Sequence, residues 1–268
     1  MKQIVQYIGF VWKRNQTIFI FSLIFIAAIQ FFVIQFMSTI DMDPLRKMMQ
    51  ALPKAIQSLI GEEMMNKLSV EGSAAFAFTH PITFGMFSYL AISIPIKEVT
   101  RSIEVGEMEV MLSYPITRKK LLSSIWIAGI IMLLLVTCGA VLSSIAALHF
   151  YQNTGWSTAF KMIKIGHNLF TIFFFVFSFS MLIAVMSMQY SKATTRAVAI
   201  TAGSYLVMVL AQIWHEIDWT KRFNFFNYFD PHQIINNKGN YLWQVFDLTV
   251  LCLVFYFVSL YLFKKKDI

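Results

Sequence analysis

A chain of 268 residues that is 57% hydrophobic and only 13% charged carries about half the charge of a soluble domain, where roughly 25% is usual. That balance excludes an ordinary water-soluble globule, and six apolar segments leave no room for a soluble domain of normal size beside them. The net charge of +8 does not point to nucleic acid either, because the basic residues flank apolar runs, where they set orientation.

The first fourteen residues place Ile4, Ile8, Val11 and Trp12 at helical spacing between Lys2 and the pair Lys13 and Arg14. This predicts a short amphipathic helix lying on the membrane surface, although a plain basic flank would look similar. The apolar run that follows is long enough to span and lacks a small-residue cleavage pattern, so it reads as a span and not as a cleavable signal. Span one covers residues 17–37 and contains Gln30 and Gln35. Both amides are expected to face other helices, since an unpaired amide in lipid is costly.

Residues 41–72 are polar and near neutral. Asp43-Pro44 is a good helix start, with Asp as cap and Pro in the first turn. Leu45, Met48, Met49 and Leu52 then recur at helical spacing, Pro53 restarts the pattern, and Ile56, Leu59 and Ile60 carry it to Gly61. One or two amphipathic outer helices are expected here. Span two, residues 74–96, contains His80-Pro81, which predicts a kink. His80 has no acidic neighbour in its segment, which favours hydrogen bonding over proton chemistry.

The stretch from Lys97 to Lys120 is an island of charge with four glutamates and five basic residues. Gly106 is expected to divide it into two short helices. In the first, Val99 and Ile103 share a face, with Glu98, Arg101 and Glu104 turned away. In the second, Met108, Met111 and Leu112 share a face, with Glu107 and Glu109 turned away. Such a unit can be a wet interfacial loop, or a lever whose charged side enters a groove on a soluble partner. Pro115 ends it, and Arg118 to Lys120 anchor the next span.

Span three, residues 121–148, carries a small-residue stripe of Gly139, Ser143 and Ala147 that permits close helix approach. Trp156, Phe160 and Ile163 in the next connection suggest another interfacial helix. Span four covers residues 166–188, a short basic link holds Lys192 and Arg196, and span five covers 197–214 with Ala199 and Gly203. His215 to Asn240 is dense in aromatic residues and reads as a partly buried interfacial loop. Span six, residues 241–263, carries Asp247 near one interface, and the chain ends Lys264-Lys265-Lys266-Asp267-Ile268.

Six spans put both termini on one side. Thirteen basic residues fall on that side, in every short connection, and nine fall on the other over longer loops. The positive-inside rule therefore places both termini and the Lys97–Lys120 stretch in the cytoplasm. The chain has no GxxxxGK phosphate loop, so it is not expected to hydrolyse ATP itself. HExxH, GxSxG and paired intramembrane carboxylates are missing too, and His149, His167, His215 and His232 lack metal-ligand spacing. Cys138 and Cys252 sit inside apolar segments, which argues against a disulfide framework.

Glu104 to Arg118 resembles a stretch of the ABC transporter permeases of the type-two, exporter-like family, in which Glu-x-Gly-Thr-Leu-Glu-x-Leu-Leu is followed, after two variable residues, by Pro, Ile or Val, Ser or Thr, and Arg. Glu107 stands where that family usually has Thr. The terminus from Phe263 to Ile268, the Leu52-Pro53 pair with Gly61, and the Lys13-Arg14-Asn15 lead into span one are also similar to that family. The resemblance implies an all-α membrane protein: one permease domain over residues 1–268, with six transmembrane helices, an N-terminal interfacial helix, a cytoplasmic coupling helix between spans two and three, and amphipathic helices in the outer loops. It implies a second permease protomer, identical or paralogous, and two copies of a separate ABC ATP-binding subunit that holds ATP and Mg. Glu98, Arg101, Glu104, Gly106, Glu107 and Glu109 would then couple to that subunit, with export of a peptide, antibiotic or lipid across a bacterial plasma membrane. The alternative is a self-contained secondary carrier or channel, whose pathway candidates are His80, Asp247 and Gln30.

Overall fold

The structure is a computed structural model that describes residues 2–39, 47, 70–152, 154–236 and 241–267. Six helices among the described residues are long and apolar enough to cross a membrane, and no strand occurs among them. The protein is a six-span, all-α membrane bundle.

Helix α1 runs unbroken from Lys2 to Thr39. At 38 residues it is about 57 Å long, well beyond a hydrocarbon layer of roughly 30 Å. The expected surface helix is therefore not a separate element but the first turns of α1. No proline interrupts this stretch, and the Asn15 amide bonds back to the Val11 carbonyl one turn earlier at 2.9 Å.

Span two departs further from expectation. Helix α2 (Val70–Thr79) and helix α3 (Pro81–Pro95) meet at His80. The His80 ring accepts the Ile82 N–H at 3.3 Å, and Pro81 occupies the first turn, as proline prefers. The membrane-crossing helix thus begins at Pro81 and not at residue 74. It also does not stop at 96. After Pro95 the chain continues as a π-helical turn, Ile96–Arg101, and then α-helically through Ser102–Glu104. The first charged half of the connection is thereby the end of span two. Gly106 breaks the helix as expected, with a left-handed φ of 76° that other residues rarely adopt. Helix α4 (Glu107–Ser113) follows.

Helix α5 spans Arg118–Gln152 and helix α6 Trp156–Met186. The interfacial helix expected around Trp156 is the start of α6. Helix α7 (Tyr190–Ile213) begins seven residues before the predicted span, because Lys192 and Arg196 lie on its exposed face and need no loop. Two 3-10 turns (His215–Arg222 and Phe225–Tyr228) and helix α8 (Pro231–Ile235) lead to helix α9 (Tyr241–Lys265). The amphipathic helices expected over residues 41–72 lie, apart from Lys47 and the start of α2, outside the described residues.

Glycines on α5 and α6 let side chains of neighbouring helices close into the core. The Gly139 stripe of α5 faces α1: a Cβ there would sit 2.4 Å from Leu23, and the Ser143 hydroxyl donates to the Ala27 carbonyl at 2.6 Å. Between α5 and α6, a Cβ on Gly129 would meet the Phe177 ring at 2.2 Å, and one on Gly166 would meet Val141 at 2.2 Å. Helix α9 joins α5 through a 2.7 Å contact of the Ser123 and Tyr256 hydroxyls and a Trp126–Tyr256 stack at 4.2 Å. At one end of the bundle the aromatic loop folds inward: Phe84 meets Phe173, Tyr205, Phe226 and Phe229 at ring distances of 5.4 to 5.6 Å.

Both described termini gather at the opposite end, as an even number of spans requires. Lys120 donates to the Gln3 side chain at 3.0 Å, and Gln3 donates to the Pro115 carbonyl at 2.9 Å. Arg118 donates to the carbonyls of Phe263 and Lys264 at the end of α9 and of Lys266 just past it. Lys266 donates to the carbonyls of Val185 in the last turn of α6 and of Ser187 just after it, at 2.5 and 2.6 Å. Cations at helix C-termini complement the helix dipole, so these two residues tie spans three, four and six together. Partial burial holds the Lys266 ammonium below the usual lysine pKa.

Candidate functional site

The charged connection after span two is braced against α1 by a compact polar network. Glu98 is buried, and its carboxylate accepts from the Asn15 amide at 2.8 Å and lies 3.5 Å from the Arg14 guanidinium. Arg14 reaches past it to Glu107 at 2.7 Å, and Ser102 donates to the same Glu107 oxygen at 3.3 Å. Lys97 closes the network by donating to the Arg14 carbonyl at 2.9 Å and to the Asn15 side chain at 3.3 Å. A buried carboxylate is tolerated because charge and hydrogen bonds meet it from several sides.

This geometry divides the six predicted coupling residues. Glu98 and Glu107 turn inward to α1, Glu98 buried and Glu107 still half in solvent. Gly106 makes the bend between the two short helices. Arg101 and Glu109 are exposed. Glu104 is exposed as well, and its carboxylate accepts the backbone N–H of Tyr190, the first residue of α7, at 2.9 Å. One turn earlier, the Thr100 hydroxyl donates to the Ala184 carbonyl near the end of α6 at 3.0 Å.

Helix α4 packs Met108 fully inward, with Met111 and Leu112 half-buried beside it. Its outer side is a ridge of Val105, Val110 and Tyr114, each more than half exposed, next to Glu109. A groove of about 400 Å³ runs alongside, between the start of α1 (Gln3, Tyr7, Phe10) and Met111, Tyr114 and Ile116. An apolar ridge on a braced base is suited to pressing against a folded partner.

The pathway candidates behave differently from one another. Pro81 has no N–H to give the Ala77 carbonyl one turn before it. The Gln30 amide fills that acceptor at 3.0 Å, as does the Thr83 hydroxyl at 3.0 Å, and Gln30 also accepts from Ser144 at 3.1 Å. Gln30 and His80 thus serve the same break in span two. Asp247 lies apart on the exposed face of α9. A second groove, about 330 Å³, lies between α3 and α7. Aromatic Phe84, Tyr89 and Tyr205 line it together with Ser88, Ser93 and Thr201. The Ser93 and Thr201 hydroxyls are buried there without a partner among the described residues.

Sequence reasoning named Asn15 only within the lead into span one, with no role, and missed Thr100 and Tyr190. Asn15 had a signal, since Val11, Asn15, Phe19, Ser22, Ile26, Gln30 and Ile34 form one buried stripe along α1. Thr100 and the Tyr190 N–H had none, because each acts across spans. Among the described residues no group of three or more His, Cys, Asp or Glu could hold a metal ion.

A family model described as ABC-2 family transporter protein matches residues 11–268. No curated protein matches the chain.

Proposed function

The chain belongs to the ABC-2 family of transporter proteins, and from that premise we propose that it is the membrane-spanning permease subunit of an ATP-driven exporter. The observation that carries this reading is the exposed ridge of Val105, Val110 and Tyr114 beside Glu109, set on a base locked to α1 by Arg14, Asn15, Glu98 and Glu107. A surface that receives force must be stiff behind and open in front. In a complex with a second permease protomer, two copies of a separate ATP-binding subunit, which hold ATP and Mg, dock one on each protomer, here on this ridge. The basic-residue count supports a cytoplasmic position for the ridge and both termini, in a bacterial plasma membrane.

The groove between α3 and α7 supports a hydrophobic or amphipathic cargo such as a peptide, antibiotic or lipid. Its aromatic faces suit apolar chains, and its unpartnered hydroxyls suit a few polar groups. The carrier alternative has less support, since Gln30 and His80 serve the backbone of the span-two break and Asp247 stands apart from both.

The test is a double substitution on the ridge, Val110→Glu with Glu109→Lys. The variant chain should still insert in the membrane but retain less than about a tenth of the copurifying ATP-binding subunit, since a central interface anchor is worth about 2 kcal/mol or more. Copurification at the wild-type level would remove the ridge from the contact.

A further inference from the structure

Within this chain helix α7 is the least buried of the six spans, with 17% of its apolar stretch buried. Its start is also poorly provided for by local sequence. The first four N–H groups of any helix lack partners within it. Gln189, at the N-cap position, makes no side-chain cap bond. The partner comes instead from Glu104, whose carboxylate accepts the Tyr190 N–H at 2.9 Å and sits at the positive end of the helix dipole. Thr100, on the same short stretch, holds the Ala184 carbonyl at the end of α6. The stretch from Thr100 to Glu104 therefore brackets the link between spans four and five, gripping one side by a carbonyl and the other by an N–H.

We propose that Glu104 is a transmission residue, which carries displacement of the connection after span two to the first turn of span five instead of contacting the outside partner. This rests on the ATP-driven reading above. Span four is fixed by burial along its length. Span five touches its own bundle less, so a pull at its first turn displaces that helix more readily than span four. Because α7 forms one wall of the groove it shares with α3, that motion changes the width of the groove.

Two measurements test this. The first uses the chain alone in lipid nanodiscs and needs no ATP. Glu104→Ala should speed hydrogen exchange of the Tyr190 amide about fivefold, the loss of one helix cap. Glu104→Gln, which still accepts an N–H, should restore slow exchange. Unchanged exchange in Glu104→Ala overturns the bond and the proposal with it.

The second uses the complex with its copurifying ATP-binding subunit. A bimane fluorophore is placed at Val198→Cys on the exposed face of α7, with Cys138→Ser and Cys252→Ala removing the native thiols. MgATP should change its emission in the otherwise unaltered chain. Glu104→Ala should cut that response at least fivefold while copurification and ATP hydrolysis stay at the wild-type level, and Glu104→Gln should recover it. A full response in Glu104→Ala overturns the proposal, and so does loss of the ATP-binding subunit, which would make Glu104 a docking residue. If the unaltered complex ignores MgATP, the ATP-driven reading and the transmission role fall together, while the exchange measurement still reports whether the cap exists.

Discussion

Spans four and five stand side by side in sequence, joined by a link of three residues, yet the bundle treats them in opposite ways. Within this chain 67% of the apolar stretch of α6 is buried, against 17% of that of α7. Span four packs on both α5 and α9 and accepts the Lys266 clamp in its last turn. Span five is tied at discrete points, by Glu104 at its start and by Asn224, which donates to the Ser204 carbonyl at 2.6 Å. The difference shows that apolar character admits a helix to the membrane without saying whether it is held there. Lipid solvates an apolar face as well as a neighbouring helix does, so close packing and hydrogen bonds decide which spans are fixed.

The strongest way to break this contrast is a paired glycine experiment. Gly129→Val drives new atoms into the buried Phe177 ring and should cost about 3 kcal/mol, the upper end for overpacking. Gly203→Val, on span five, meets open space and should stay within about 0.5 kcal/mol. Thermal unfolding of both variants in one detergent measures the gap, and equal midpoints would show that span five is packed as span four is.

A smaller effect is expected at the braced base. Glu98→Ala leaves the Asn15 amide and one side of Arg14 without their acceptor and should cost about 2 kcal/mol. It should also raise hydrogen exchange from Lys97 to Glu104 before it disturbs span four. Loss of protection in span four first would place the brace elsewhere.

The smallest is Gln30→Leu, expected to cost about 1 kcal/mol, because Thr83 still donates to the Ala77 carbonyl when Gln30 is gone. Exchange should rise around His80 and leave α7 unchanged. A rise in α7 would tie the break in span two to span five and soften the contrast drawn above.

Much of this was readable from residues. Apolar runs, the Gly106 break and the Gly139 stripe all follow from local chemistry, and the structure bears each out. Helix ends were read less well. The first turns of α1, α6 and α7 carry charge or amphipathic spacing, which mimics a surface helix or a loop, but a helix can run on into water when no residue breaks it. The six coupling candidates were proposed from residue type, charge and the family resemblance. Burial then separated Glu98 from Glu109, which no spacing rule could do because both are acids on one short stretch.

By itself the sequence determined the class, the number of spans and the place where charge interrupts them, since these depend only on the cost of moving each side chain from water into hydrocarbon. Tertiary structure decided which of those charges face the protein, which face outward and which span is least buried within the chain. Those outcomes depend on contacts between residues 80 or more positions apart, such as Asn15 with Glu98 and Glu104 with Tyr190, and such contacts exist only after the helices have packed.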